Sequence, residues 1–338
     1  MIRIGIPRAL LYYQYYPMWK TLFQRLGAEV VVSAPTTQAM LAEGSSRVVA
    51  ETCLPTKVFL GHVLSLVKEC DYIFIPAIRS IKSKIYNCSK LLGLPDMTKA
   101  VIPEAPPILD IDIDVNRGKN ELYKAIYRLG RRFTRSPFRV RRASIAAWQT
   151  HLNYQQLMCR CNLTPPQAIE RILGTDTDEA RPKAHSDYPV PTQTSIALIG
   201  HPYLLYDEYI NHRFIHRLRQ AQHKVLTPEM LTTEELESAT TKLVGRPQWT
   251  CEEEVVGAGR YYLENGADGI IGIMNFGCGP DSLLMDMLHR QASNLKEATP
   301  FMSLTLDEHT AEAGMITRLE AFLDMIKREK RKQVAVCV

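Results

Sequence analysis

The sequence predicts an α/β protein of two Rossmann-like parallel-sheet lobes, related by internal duplication, with a helical insertion between them. Three observations predict it. Strand-like apolar runs alternate with amphipathic helical segments, which is the pattern of a parallel sheet. Ile4-Gly5-Ile6-Pro7 returns as Ile199-Gly200-His201-Pro202, so a repeat runs along the chain at a fixed offset. The 338 residues suffice for two cores of ordinary size.

The elements follow in order. M-I-R-I-G-I-P opens on a strand, and residues 12–26 carry the periodicity of an amphipathic helix. Glu29–Ser33 reads as the second strand, a helix follows Cys53, and Asp71-Tyr72-Ile73-Phe74-Ile75 reads as the next strand. Residues 116–194 form a helical segment that ends in the polar, proline-rich stretch 174–194, a linker by composition. In the second half a strand precedes His201, a helix is expected over 207–221, and Lys224–Thr227 is a strand. A helix then follows Cys251, and strands are expected at 268–273 and Phe301–Leu306, with a C-terminal helix last. The expected organisation is residues 1–115 as the first lobe, 116–194 as helical segment and linker, and 195–338 as the second lobe.

With 46% apolar and 23% charged residues the chain belongs to the soluble globular class, and a net charge of +5 selects no partner by itself. No run of 18 apolar residues and no signal-peptide pattern is present, so a cytoplasmic protein without a membrane role is expected. Eight cysteines in such a chain argue against a disulfide framework and leave room for metal or redox chemistry.

Three of those cysteines stand where a strand gives way to a helix or loop: Cys53 in E-T-C-L-P, Cys88 in Y-N-C-S-K and Cys278 in N-F-G-C-G-P-D. Open α/β sheets bind ligands beyond the carboxyl ends of their strands. Pro55 and Pro280 each follow a cysteine by two, which puts both thiols at helix N-termini, where N–H groups favour an anion. Any one cysteine read alone is a small buried hydrophobe. Three in matched contexts point to one soft-metal site, an iron–sulfur cluster with metal ligands Cys53, Cys88 and Cys278. Cys251, near the repeat counterpart of Cys53, is the candidate fourth ligand. Cys70, Cys159 and Cys337 read as structural. No C-x-x-C pair exists, so zinc-ribbon and ferredoxin spacings are absent.

The segments G-I-P-R-A-L-L-Y-Y, E-T-C-L-P-T-K-x-x-x-G-H, G-H-P-Y-L-L-Y-D-E-Y-I-N, N-F-G-C-G-P-D-S and D-E-H-T-A-E-A-G-M-I-T-R-L-E-A-F resemble the acyl-CoA dehydratase activase-related proteins, relatives of the 2-hydroxyacyl-CoA dehydratase iron–sulfur subunits. The resemblance runs from residue 3 to about 325. It implies a two-lobed protein of an anaerobe that carries a cysteine-ligated cluster and receives low-potential electrons from a separate ATP-hydrolysing activator. It places the family's cysteines on Cys53, Cys88 and Cys278. Ser89 departs from the family pattern, in which proline follows the second cysteine, and Cys251 is not a family position. The implied cluster is 4Fe-4S; a double-cubane 8Fe-9S cluster would recruit Cys251 with Cys159 and Cys161. A second dehydratase-like subunit or a second copy of the chain is a further expected partner. No G-x-x-x-x-G-K-[ST] loop occurs, so ATP hydrolysis by this chain is not expected.

The expected function is an iron–sulfur redox protein that reduces a small substrate at an open iron site. Its alternatives are a non-catalytic, cluster-carrying scaffold and a zinc-stabilised binding protein. His201 and Tyr203 are the catalytic candidates, as acid–base groups or hydrogen-bond donors at a strand end; a capping role is the plain alternative. Asp207 reads as a helix cap, and Asp281 and Ser282 as first-turn groups of the helix after Cys278. Arg8 is a candidate counter-charge for a reduced cluster. Lys57 is expected to face the carboxyl end of the sheet and His62 to lie buried beneath it. Asp307, Glu308 and His309 follow a strand end and are expected to line the same crevice. Arg117 to Arg142 hold ten basic residues against Glu121 alone, either a solvated face or a patch for an acidic electron donor or CoA phosphates. Nucleic acid is not expected, since no recognition motif appears.

Overall fold

The structure is a computed structural model that describes residues 1–174, 194–294 and 299–336, without the side chains of Cys251 and 332–336. The linker expected at 174–194 and Cys337 fall almost wholly outside these residues. The chain forms two units, Met1–Arg181 with Pro247–Thr250, and Pro182–Arg246 with Cys251–Val338.

The first unit runs β1 (Arg3–Ile6), α1 (Tyr12–Leu26), β2 (Glu29–Val32), α2 (Gln38–Ser46), α3 (Leu54–Leu66), β3 (Tyr72–Ser80), α4 (Ser89–Leu92), α5 (Leu94–Val101) and β4 (Ile108–Asp114). Its four strands are parallel in the order β2-β1-β3-β4. The order reverses direction at β1 and β3, which opens the ligand crevice of a doubly wound sheet. Helix α1 buries Trp19 and Phe23 on Phe74 of β3, with ring centroids 4.8 and 4.9 Å apart. Helices α2 and α3 cross at backbone contact. A Cβ on Gly44 would lie 1.9 Å from the Lys57 carbonyl oxygen, and one on Gly61 would lie 2.0 Å from that of Met40. Only glycine fits either place.

Helices α6 (Lys119–Gly130), α7 (Pro137–Cys161) and α8 (Pro165–Leu173) complete this unit. Helix α7 lies along α1, where the Tyr154 hydroxyl donates to the Tyr13 carbonyl at 2.6 Å and Thr21 donates to Thr150 at 3.2 Å. Pro247–Thr250 joins the unit through main-chain pairing: Tyr86 N–H donates to the Gln248 carbonyl, and Thr250 N–H to the Tyr86 carbonyl, both at 3.0 Å.

The second unit runs β5 (Ser195–Gly200), α9 (Pro202–Leu205), α10 (Phe214–Gln220), β6 (Lys224–Leu226), α11 (Thr233–Val244), α12 (Thr250–Glu252), a π-helical turn Glu253–Gly257, α13 (Ala258–Glu264), β7 (Gly269–Asn275), α14 (Gly279–Asn294), β8 (Phe301–Leu306) and α15 (Glu312–Val336). Its parallel sheet has the order β6-β5-β7-β8 and repeats the first sheet strand for strand. The two-lobed α/β architecture and its duplicated order are therefore as expected from the sequence.

One expected element differs. The helix expected over 207–221 is shortened to α10 (Phe214–Gln220), and residues 207–213 form turns. Asp207 Oδ1 accepts the N–H groups of Tyr209 and Ile210, and Asn211 Nδ2 donates to the carbonyls of Leu204 and Leu205. These side chains satisfy the backbone in a turn rather than a helix. His212 and Arg213 then take left-handed φ values of 51° and 59°.

Candidate functional site

Each candidate thiol begins a helix at the carboxyl side of its own sheet. Cys53 is the residue before α3, with extended backbone (φ −62°, ψ 145°) and Pro55 in the first turn. Its Sγ lies 3.1 Å from Thr56 Oγ1, and its carbonyl accepts from Thr56 and Lys57. Lys57 reaches back past the start of α3. It is buried and its Nζ donates to the Ala50 carbonyl at 2.8 Å, so it ties α3 to the chain before Cys53. His62 is buried as expected, with Nδ1 on Ser33 Oγ and Nε2 on Thr36 Oγ1, both at 2.8 Å. Burial, with the Arg8 charge adding to it, pushes its pKa down to about 4. Arg8 places its guanidinium over the Tyr12 ring at 5.9 Å.

Cys88 precedes α4 and is exposed. The loop carrying it is fixed from both sides. Asn87 N–H donates to the Arg79 carbonyl at 2.8 Å and Asn87 Nδ2 to that of Ile78 at 3.1 Å, while Tyr86 pairs with the Pro247–Thr250 strap. That strap brings the chain at Thr250, one residue short of Cys251, to the loop of Cys88. The side chain of Cys251 lies outside the described residues.

Cys278 follows β7, the counterpart of β3, as Cys88 follows β3 itself. Its N–H donates to the Asn275 carbonyl, and its own carbonyl accepts both the N–H and the hydroxyl of Ser282 in the first turn of α14. Cys53, Cys88 and Cys278 are all outside disulfides, and the last, like Cys53, is half-exposed. Among the described residues no group of three or more His, Cys, Asp or Glu side chains is arranged to hold a metal ion.

Behind Cys278 lies a buried ionic cluster. His201, at the end of β5, places Nε2 2.9 Å from Asp281 Oδ1 and Nδ1 3.2 Å from Glu254 Oε2. The close approach of β5 to β7 requires Gly200: a Cβ there would lie 2.4 Å from the Ile273 carbonyl oxygen. His201 is 6% exposed and Asp281 1%. Burial pushes the imidazole down, but the Asp281 charge, with hydrogen bonds from Asp281 and Glu254, carries its pKa up to about 10. Asp281 responds in kind. Burial raises it, but the His201 charge, helped by the Cys278 thiol and the Asn275 backbone, holds it below the usual carboxylate range. Tyr203 stacks on His201 with centroids 5.0 Å apart, a cation–π arrangement.

A second acid, half-buried, lies close by. Glu229 accepts a hydrogen bond from the Tyr206 hydroxyl. Burial raises its pKa, the Tyr206 bond opposes this and the Glu254 charge adds to it, for a value of about 7. Asp307 closes its own turn, accepting from His309 N–H and Thr310 Oγ1, each at 2.9 Å.

The chain matches the CoA enzyme activase uncharacterised domain over residues 3–231. It belongs to that family. No curated protein matches it. For this activase-family chain the matched stretch includes Cys53, Cys88, His201 and Tyr203, while Cys278, Asp281 and Glu254 lie beyond it. Among the described residues no helix is long and apolar enough to cross a membrane.

The His201 cluster has the geometry of a hold, with one imidazole bridging Asp281 and Glu254. The two carboxylates favour the charged form of His201 against the effect of its burial. What His201 does is anchor the first turn of α14 to the end of β5, which fixes the turn that carries Cys278. Sequence reasoning reads Asp281 as a cap and does not include Glu254 or Glu229. The repeat carries a signal for the pair: Ile6 and Leu91, both buried, stand at the places of His201 and Asp281 when Ile4 is set on Ile199 and Cys88 on Cys278.

Proposed function

We propose that this activase-family protein is an iron–sulfur redox component that takes low-potential electrons from a separate ATP-hydrolysing partner. Its cluster ligands are Cys53, Cys88 and Cys278, with Cys251 as the fourth thiolate or that position left open to a small substrate. The observation that carries this reading is the matched placement of the three thiols. Each is the residue before a helix, each follows a rigidly held turn, and all are outside disulfides. Three thiolates are the donor set of an iron–sulfur cluster rather than of magnesium or calcium. Such a cluster, when bound, supplies one-electron storage at low potential and an iron site able to take an exogenous ligand.

The chain's own residues do the rest. Helix N–H groups behind Cys53 and Cys278 offset thiolate charge. Lys57 and Asn87 hold the Cys53 and Cys88 segments, and His201 with Asp281 holds that of Cys278. The family description supports a partner enzyme that acts on CoA substrates.

Anaerobic purification followed by iron and acid-labile sulfide analysis tests the reading. Four iron and four sulfide per chain, in round numbers, are expected for a 4Fe-4S cluster, with loss in Cys53→Ala, Cys88→Ala and Cys278→Ala but not in Cys70→Ala. A chain that holds zinc, or no metal, under those conditions overturns it. A stable cluster that no reductant or ATP-driven donor reduces supports the scaffold reading instead.

A further inference from the structure

We propose that the outward face of α7 is a docking surface for an acidic, amphipathic helix of a protein partner. Helix α7 is apolar on two opposite sides. Its inner side, Val140, Ala143, Ala147, Tyr154 and Met158, is buried and packs along α1. Half a turn around, Phe138, Ile145 and Trp148 are 75%, 58% and 56% exposed. Their spacing of seven and three puts them on one helical stripe. A merely solvated face has no use for three large apolar side chains in register.

The charge around the stripe is of one sign. Arg141 and Arg142 stand within it, and Arg131, Arg132, Arg135 and Arg139 lead up to it, all exposed. None of these six has an acidic partner among the described residues. From residue 125 to residue 169 the chain contains no Asp, Glu or Lys, although it uses all three elsewhere. Arginine with aromatic residues and without lysine is the composition of a protein interface core. The planar guanidinium pairs with carboxylates in two-point fashion, which lysine does not do.

The stripe from Phe138 to Trp148 spans about 15 Å at 1.5 Å per residue, the length of a three-turn helix. Its complement is therefore a helix with apolar side chains on one face and Asp or Glu along the flanks. Nucleic acid would leave Ile145, at the centre, without a base to stack on. An anionic membrane would find only three apolar side chains on a helix whose other side is committed to α1.

The test uses the full chain and a synthetic helical peptide with leucines on one face and glutamates on both flanks. Binding is expected, weakening as salt rises, with a blue shift of tryptophan emission. Trp148→Ala and the double variant Arg141→Glu/Arg142→Glu should each weaken binding about tenfold or more. A peptide with lysine in place of glutamate should fail on the natural chain and bind the double variant, a gain that a folding defect cannot produce. Equal binding of a peptide with serine in place of leucine, variants that bind like the natural chain, or tighter binding of phosphatidylserine vesicles or single-stranded DNA would each overturn the proposal.

Discussion

His201 Nε2 and Asp281 Oδ1 meet at 2.9 Å in a site where the imidazole is 6% and the carboxylate 1% exposed. The pair joins the end of β5 to the first turn of α14 and leaves neither charge in water. Breaking such a pair strands one charge, whereas replacing both partners with packed apolar groups relieves the desolvation. The first unit has Ile6 and Leu91 at the corresponding places, both buried. His201→Ile alone should therefore cost about 3–5 kcal/mol, and His201→Ile with Asp281→Leu should recover most of it. Urea denaturation of the two variants checks this; equal loss in both would refute it.

His62 and His151 in the first unit, and His201 with Glu229 in the second, should respond oppositely to pH, with His223 of the second unit, lowered by burial, following the first pair. In the first, burial lowers His62 and His151 to about 4 each, so the folded form disfavours their protonation. Its stability is full above the unfolded value near 6.5 and is lost as pH falls toward 4. In the second, His201 is raised to about 10, so its contribution is full below 6.5 and fades as pH rises toward 10. Glu229, raised to about 7, acts in the same direction between 4.5 and 7, because the fold prefers it protonated. Trp19, Trp148 and Trp249 all belong to the first unit. Tryptophan fluorescence should thus change first in acid, while at pH 9.5 helical circular dichroism should fall with fluorescence intact. Coincident transitions by both probes would contradict this.

The crossing of α2 and α3 at Gly44 and Gly61 is expected to set how open Cys53 is to reagents. Gly61→Ala cannot be accommodated, since its Cβ would sit 2.0 Å from the Met40 carbonyl oxygen. The helices must part, and the Lys57 anchor on the Ala50 carbonyl loosens with them. A thiol reagent should label Cys53 several-fold faster in this variant, with Cys88 unaffected. Mass spectrometry of the labelled peptides gives the answer.

The buried Tyr154 hydroxyl holds α7 to α1 through the Tyr13 carbonyl at 2.6 Å. Tyr154→Phe should cost about 1 kcal/mol, read as a lower midpoint in urea. Thr150→Ala should cost less, because its partner Thr21 keeps a bond to the Pro17 carbonyl at 2.9 Å.

Local chemistry makes much of this fold legible in the residues themselves. Periodicity, with glycine and proline at the strand ends, locates β1, β3, β5 and β7 and puts Cys53 and Cys278 at helix starts. Strand β4 carries an alternation of isoleucine and aspartate, I-D-I-D, that fits a sheet edge. The rest is hidden for physical reasons. Asp207 and Asn211 compete for backbone groups and delay to Phe214 a helix that hydropathy alone starts at 207. Glu254 reaches His201 from a π-helical turn, and such a turn leaves no sequence period. The strap at Pro247–Thr250 pairs through main-chain atoms, which every residue type possesses.

That strap has a consequence for taking the protein apart. Three separate chain crossings, not one, join the units, because Pro247–Thr250 departs from the second half and returns to it. A fragment ending at residue 173 would be born with Tyr86 bereft of its neighbour, and a fragment starting at 194 would carry a dangling tetrapeptide. Reassembling the two fragments from separate genes would have to re-thread that loan before the Cys88 loop regained its shape.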